Sequence, residues 1–511
     1  MDALIYEELP AVYRTPPEIL EEIFLYCWHD NSVYTLLTEA PFNLVSTCHR
    51  WRQIATFNLP IFWSTFHVTF TQKACKPPLP TLKLWLERSR KLPLSFSLIY
   101  RGRNSFDGGD NRSTVIEKMF APLELLSEHL VRWRDVYVDL SDLPHNTRFR
   151  PSSLLEEELM LETFAVRTFK PHPRHNTHSL IPNYMNWISK LAESSPNLYK
   201  FDAYGDGPIT RLFGINTPDS VPWIRLTILT LEHVSETLAL HILQSSARLL
   251  ECTFADLGRY IDWIANLPLP QLRDNIVVPR LTTLRITAEG DIDSFWDRLI
   301  IPSLQELKVY MLPGSRQWHQ GDALVQFFQR SGLILDAELA GLAISAQALM
   351  SVTRGPPISR ISLRNCNIPS RSLGSRVKLL SESLRELIVI DKATIDNELV
   401  KLLTLPDLVD NGQHIEATDE QESILCPKLE YLTLVNCINA TDGLTSQMIK
   451  SRLMHNCETL RQLKSVLIGF SQSGHAEDFY QLEKMLKEGL NGGVSIKKGV
   501  TLARRKTQLS D

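Results

Sequence analysis

One short phrase, an apolar residue followed by x-x-L-x-L or a close variant, returns eleven times along the chain and limits its fold more than any other feature. It begins at Leu161, Leu198, Leu226, Leu249, Leu281, Leu304, Leu339, Ile358, Leu384, Leu429 and Leu460. The starts lie 19 to 45 residues apart, so the unit is irregular but persistent. Alternation in the tail of each phrase predicts a short parallel strand, and the leading apolar residue turns inward to anchor one unit on the next. Between phrases, SETLALHILQSS, GDALVQFFQRS and SAQALMSVT space their apolar residues as short helices do. One unit alone cannot bury both its strand face and its helix face. Stacking supplies the missing surface, which predicts an α/β solenoid that curls into a horseshoe, with its strand phrases parallel and adjacent on the concave side.

The remaining composition fits such an array. A chain of 511 residues exceeds the size of one ordinary core, and 43% hydrophobic residues supply a packed interior. With 54 basic and 58 acidic residues the net charge is -4, which lacks the basic excess of a nucleic-acid binder. Eight scattered cysteines without a CxxC pair point to a reducing compartment. The opening MDALIYEELP is acidic where a signal peptide is basic, and no apolar run reaches the roughly 20 residues of a membrane span. A cytoplasmic or nuclear location is expected, without a membrane partner. Residues 496–511 form a basic tail.

Residues 10–68 differ from the rest and read as a helical module. Pro16 and Pro17 precede EILEEIFLYC, where Ile19, Leu20, Ile23, Phe24 and Cys27 form an apolar stripe at helical period. Leu44, Val45, Cys48, Trp51, Ile54 and Ala55 repeat that spacing, Pro60 closes the stretch, and Trp63 follows in an aromatic-rich segment. Three short helices are predicted near 16–28, 43–57 and 60–66, with Trp51 at least partly buried. Residues 69–130 are a linker and entry into the array, and 131–495 hold the repeats. Periodicity alone also suits a helical cap on the open end of an array.

The ordered segments from Pro16, Leu44 and Pro60 to Trp63 resemble the F-box-like domain of large fungal, mushroom-type protein families. The repeats behind them resemble variable leucine-rich repeats. The resemblance covers about 55 residues, and the link from Trp28 to Phe42 is longer than in that family. It implies a three-helix fold in which Pro16, Pro17, Leu20, Ile23 and Phe24 contact a Skp1-like adaptor. Leu44, Val45, Trp51 and Trp63 would be partly core and partly contact. It further implies a substrate-recognition subunit of a Skp1-cullin-F-box ubiquitin ligase. The alternative is a leucine-rich-repeat interaction scaffold with a helical cap and no ligase connection. If the adaptor reading holds, at least two of Pro17, Leu20, Phe24 and Leu44 are expected to be exposed in the lone chain.

Catalytic chemistry is not legible. His172, His175 and His178 lie among prolines without zinc-site spacing, and HExxH, GxxxxGK[ST] and GxSxG are absent. Glu156 to Glu158 suit a solvated helix face, and Cys366 and Cys437, each after an Asn, suit small buried hydrophobes at a turn. No catalytic, cofactor-binding or metal-binding residue is therefore assigned, no cofactor is expected, and the chain is read as a binding protein rather than an enzyme. An unidentified target protein would meet side chains pointing out of the strands, such as Thr230, Arg285, Lys308, Arg364 and Thr433. Polar insertions at 167–180 and 407–424 would emerge as loops.

Overall fold

A computed structural model describes residues 14–28, 40–71, 74–101, 121–141, 158–168, 184–205, 222–258, 272–312, 322–331, 334–341, 358–366, 368, 370–391, 395–405, 425–453, 461–470, 474–487 and 493–498. The insertions at 169–180 and 407–424, the three spaced histidines, SAQALMSVT and the end of the basic tail lie outside the described residues. The chain divides into two compact units, one built on residues up to Glu232 and the other on residues from His233 onward.

The first unit opens with short helical pieces: α1 (Pro17–Tyr26), α2 (Phe42–Thr47) and α3 (His49–Gln53), then a π turn at Ile54–Asn58 and a 3-10 turn at Pro60–Trp63. Pieces this short are held by packing rather than propensity. The Phe24 and Trp51 rings meet edge to face at 4.9 Å, and the Trp63 indole donates to the Ala55 carbonyl at 3.0 Å. Phe42 and Trp63 both stack toward Trp85 of the helix Leu79–Arg88, with ring centroids 5.5 and 6.3 Å away, so the helical core runs on into the sheet.

That sheet contains β1 (Thr65–Phe70), β2 (Cys75–Lys76), β3 (Leu94–Tyr100), β4 (Trp133–Asp139), β5 (Thr163–Arg167), β6 (Lys200–Tyr204) and β7 (Ile228–Glu232). From β1 and β3 through β7 each strand pairs in parallel with the next, and only β1 with β2 is antiparallel. Here the sequence reading needs correction. The third helix, expected to reach residue 66, stops at Trp63, and Thr65–Phe70 is a strand. Phe66, Val68 and Phe70 alternate inward at period two, and this outweighs the aromatic density that suggested a helix. Within residues 69–130, the expected linker and entry into the array, the sheet already includes β2 and β3.

The second unit contains β8 (Glu251–Leu257), β9 (Ile276–Val277), β10 (Thr283–Ala288), β11 (Leu299–Ile300), β12 (Glu306–Met311), β13 (Asp336–Ala340), β14 (Arg360–Arg364), β15 (Glu386–Ile390), β16 (Tyr431–Val435), β17 (Ser465–Phe470) and β18 (Gly493–Lys498). From β8 and β10 through β12 to β18 the strands follow chain order and every pairing is parallel, while β9 and β11 form a separate pair. Parallel neighbours require a crossover, and helices such as Asp322–Arg330, Ser370–Leu379, Leu444–Leu453 and Ala476–Lys487 provide it.

Strands β13 to β16 are bracketed at both ends by the same backbone bonds, and the entry bond extends to β12 and β17. The residue just before a strand donates its amide to the equivalent carbonyl one unit back: Gln305 to Thr282, Leu335 to Gln305, Ser359 to Leu335, Arg385 to Ser359, Glu430 to Arg385 and Lys464 to Glu430, at 2.7 to 2.9 Å. The residue just after a strand donates forward: Gly341 to Arg364, Asn365 to Ile390, Asp391 to Val435 and Asn436 to Gly469. These exit residues take positive φ, between 53° and 74°, which Gly, Asn and Asp tolerate best. After Asn365 and Asn436, the thiols of Cys366 and Cys437 are buried and lie near the Leu339 and Val389 carbonyls.

Two residues ahead of the strands sit the buried leads Leu161, Leu198, Leu226, Leu249, Leu281, Leu304, Ile358, Leu384 and Leu429. One phrase start is misplaced: Leu339 lies inside β13, whose lead is Ile334. The start at Leu460 lies outside the described residues, and Leu463 is the buried residue two positions ahead of β17. Leu281→Ala is expected to cost about 2–5 kcal/mol in urea unfolding, whereas Leu379→Ala on an exposed helix end stays within about 0.5 kcal/mol. Equal effects would show that the leads are not the anchors.

Candidate functional site

Two surfaces combine exposure with a defined side-chain pattern. On α1, Leu20 and Phe24 are 3% and 0% exposed, turned inward by the Trp51 contact. Each residue advances about 100°, so Ile19, Ile23 and Tyr26 fall on another side, at 51%, 46% and 86% exposure. Phe57 and Ile61 are exposed as well. The Asn58 amide donates to Glu21, tying the π turn to α1. This helix is therefore apolar on two faces, of which the fold uses one.

The residues assigned to adaptor contact are thus divided. Pro16, Pro17 and Ile23 are exposed; Val45 and Trp51 are half-buried; Leu20, Phe24, Leu44 and Trp63 are buried. Of Pro17, Leu20, Phe24 and Leu44, only Pro17 is exposed, where at least two were expected. The cause is rotation of the helix: Leu20 and Phe24, one turn apart, both face inward, with Phe24 against the Trp51 ring. Ile19 and Tyr26 were the missed signal. Their offsets of 0, 4 and 7 with Ile23 describe a stripe as regular as the buried one, and period alone does not choose between the two.

The second surface is the outward side of the strands. In the second unit, Glu306, Lys308 and Tyr310 on β12 face the same way as Asp336 and Glu338 on β13 and Arg360, Ser362 and Arg364 on β14. Their charges interlock. Glu306 meets Lys308 at 2.6 Å and Arg285 at 3.1 Å, Arg360 bridges Asp336 at 3.3 Å and Glu386 at 3.0 Å, and Arg364 meets Glu338 at 2.9 Å. Burial opposes ionisation of Glu306, but hydrogen bonds from Lys308 and Arg285 outweigh it and hold its carboxyl below the usual carboxylate range. Asp336 goes the other way, because burial pushes it up more than Arg360 and Lys308 pull it down. The Tyr310 hydroxyl is pushed up by burial and by Glu338. Along the same register the face becomes apolar at Ile388, Ile390, Val435 and Leu467. Thr230, Arg285, Lys308, Arg364 and Thr433 all sit at outward positions and are half-buried or exposed.

A third cluster, Asp442, His475 and Asp478, brings three potential metal-ligating atoms within 4.8 Å of one another. Its carboxylates already serve the chain. Asp442 accepts the Glu477 and Asp478 amides at the start of the helix Ala476–Lys487, at 2.9 and 2.8 Å. The fully buried Asp478 accepts the Ser446 amide and lies 3.1 Å from His475 Nδ1. This arrangement caps a helix and joins it to its neighbour, Leu444–Leu453. Among the described residues no helix is long and apolar enough to cross a membrane. The chain matches no family model and no curated protein.

The Glu306 cluster has a sign that can be checked. Its folded pKa lies below the unfolded value of about 4.3, so its stabilisation is present above that pH and is lost as pH falls through the folded value. Glu306→Gln is expected to be less stable than the parent at neutral pH in urea unfolding. The difference is expected to shrink below about pH 4, and a constant difference across this range would contradict the assignment.

Proposed function

We propose that the protein is the substrate-recognition subunit of a Skp1-cullin-F-box ubiquitin ligase. In this reading the N-terminal helices dock on a Skp1-like adaptor, and through it a cullin scaffold, while the strands behind form a leucine-rich-repeat array whose outward side chains hold a target protein. Ubiquitin transfer is left to other subunits, and the chain itself binds rather than catalyses. The observation that carries the reading is the second apolar face of α1: Ile19, Ile23 and Tyr26 stand exposed although Leu20 and Phe24 already satisfy the core. A large exposed apolar group at helical spacing is what a partner's surface covers. Parallel strands in chain order, with a buried lead two residues ahead of β5 to β8, β10 and β12 to β17, support the repeat reading of the rest.

The burial of Leu20, Phe24, Leu44 and Trp63 favours a second reading, in which the helices only cap the strands and the protein is a scaffold without a ligase. The two are separated by one set of variants. Combined Ile19→Asp, Ile23→Asp and Tyr26→Asp is expected to abolish capture of a Skp1-like adaptor while leaving the melting temperature near that of the parent. Leu20→Asp, in contrast, is expected to unfold the module. If the intact protein captures no adaptor, the ligase reading fails and the cap remains.

A further inference from the structure

In the second unit, the turns that lead into β15, β16 and β17 gather exposed cations on one rim. Arg385, Lys428, Arg461 and Lys464 are all exposed. Backbone bonds hold these turns side by side. The Arg385 carbonyl accepts the Glu430 amide at 2.8 Å, the Glu430 carbonyl accepts the Lys464 amide at 2.7 Å, and the Pro427 carbonyl accepts the Arg461 amide at 2.8 Å. The Glu430 carboxylate, 6% exposed, receives both Arg461 and Lys464, whose own side chains remain 48% and 59% exposed. Among the described residues 380–385, 425–430 and 461–464, these four cations meet two carboxylates, Glu430 and Glu382.

The excess is reinforced from beneath and from one side. Arg452 is 4% exposed, and its guanidinium donates to the carbonyls of Leu403, Leu425 and Cys426 at 2.6, 2.6 and 3.1 Å. Carbonyl oxygens satisfy its hydrogen bonds without cancelling its charge. Lys401, two residues before Leu403 in the helix Asn397–Leu403, and Lys450, two before Arg452 in Leu444–Leu453, are exposed as well. Cations in the last turn of a helix complement its dipole. That accounts for Lys401 and Lys450 but not for Arg385, Lys428, Arg461 and Lys464, which stand in turns ahead of strands.

Resting on the reading of the repeat array as the part that holds a target, we propose that this rim takes an acidic, Asp- and Glu-rich segment of the bound target protein. From Arg385 to Lys464 is two strand spacings, about 10 Å, and alternate side chains of an extended segment recur every 6.6 Å or so, about the same scale. Such a segment crosses the strand entries and sets successive carboxylates against the row, whereas a single small anion meets only part of it. The Tyr431 ring at this rim has the Lys464 ammonium over it, 6.0 Å from its centroid, so the aromatic face that a nucleic-acid base would stack on is already taken.

The test uses the full chain and a fluorescein-labelled Glu-Ser repeat peptide, with the Gln-Ser repeat of equal length and a labelled oligothymidylate as controls, in fluorescence anisotropy. Saturable binding is expected for the Glu-Ser peptide, weaker by about tenfold or more for the Gln-Ser peptide. It is expected to be lost between about 0.1 and about 1 M salt, as the screening length falls from about 10 to about 3 Å. Combined Arg385→Glu and Lys428→Glu is expected to weaken it by about tenfold or more with the melting temperature near that of the parent. Lys83→Glu with Lys91→Glu, an equal charge change in the first unit, is expected to leave it unchanged. If the first variant does not fold, Lys464→Gln decides, because Arg461 still serves Glu430, and it too is expected to weaken binding. Equal binding of the two peptides, unchanged binding in the folded rim variant, or an equal loss in the Lys83 and Lys91 variant would overturn the proposal. Oligothymidylate binding tighter than the Glu-Ser peptide and lost in the rim variant would overturn it as well, in favour of nucleic acid. Adaptor capture is measured on the same preparations. Acidic-peptide binding without adaptor capture defeats the ligase reading alone, and adaptor capture without acidic-peptide binding defeats the rim proposal alone.

Discussion

The ladder of backbone bonds from the entry of one strand to the entry of the strand before it is the constraint on which the second unit depends. Thr282, Gln305, Leu335, Ser359, Arg385, Glu430 and Lys464 form one continuous series of amide-to-carbonyl contacts. Because the register is fixed at each entry, the leads Leu281, Leu304, Ile334, Ile358, Leu384, Leu429 and Leu463 all turn to the same interior. A shift of one residue would exchange every inward side chain for an outward one. The exit bonds from Gly341, Asn365, Asp391 and Asn436 hold the other end, so spacers of very different length leave the strands themselves aligned.

With inward positions committed to packing, outward positions are free to carry chemistry. The charges on β12 to β14 are nearly all paired along or across strands, which lets carboxylates as covered as Glu338 and Asp336 remain on the outward face. Arg360 touches two carboxylates from two different strands, an arrangement that needs the parallel register to bring residues 336, 360 and 386 into one row. The apolar positions at Ile388, Val435 and Leu467 follow in the adjoining columns of that register. Along the register the outward face thus passes from interlocked charge to apolar side chains, of which Ile388 and Val435 are buried and Leu467 is half-buried.

Helix α1 shows the opposite balance, since its packing leaves apolar material unused. Ten residues make fewer than three turns, and the Phe24 to Trp51 ring contact, together with the Asn58 amide donating to Glu21, accompanies the inward turn of Phe24. Phe24 is buried against Trp51, while Trp63 meets Trp85 of the helix Leu79–Arg88. Ile19, Ile23 and Tyr26 are left outward, and the packing of the helix makes no use of them.

Much of the strand order was legible in the sequence, because a buried lead followed by period-two alternation is a local signal that survives irregular spacing. The same signal located helices such as Glu236–Ser245 and Asp322–Arg330 and the outward residues Arg285, Lys308 and Arg364. It failed where two local patterns overlapped. Leu339 satisfies the phrase but belongs to the middle of a strand led by Ile334, and Thr65–Phe70 carries aromatic density that masked its alternation. What the sequence determined by itself is which residues alternate and which are apolar. Only the tertiary structure decided which of two equally regular stripes on α1 is core and which carboxylates on neighbouring strands share a cation. Each of these depends on contacts between residues distant in the chain, and periodicity within a segment carries no information about its partner's register or rotation.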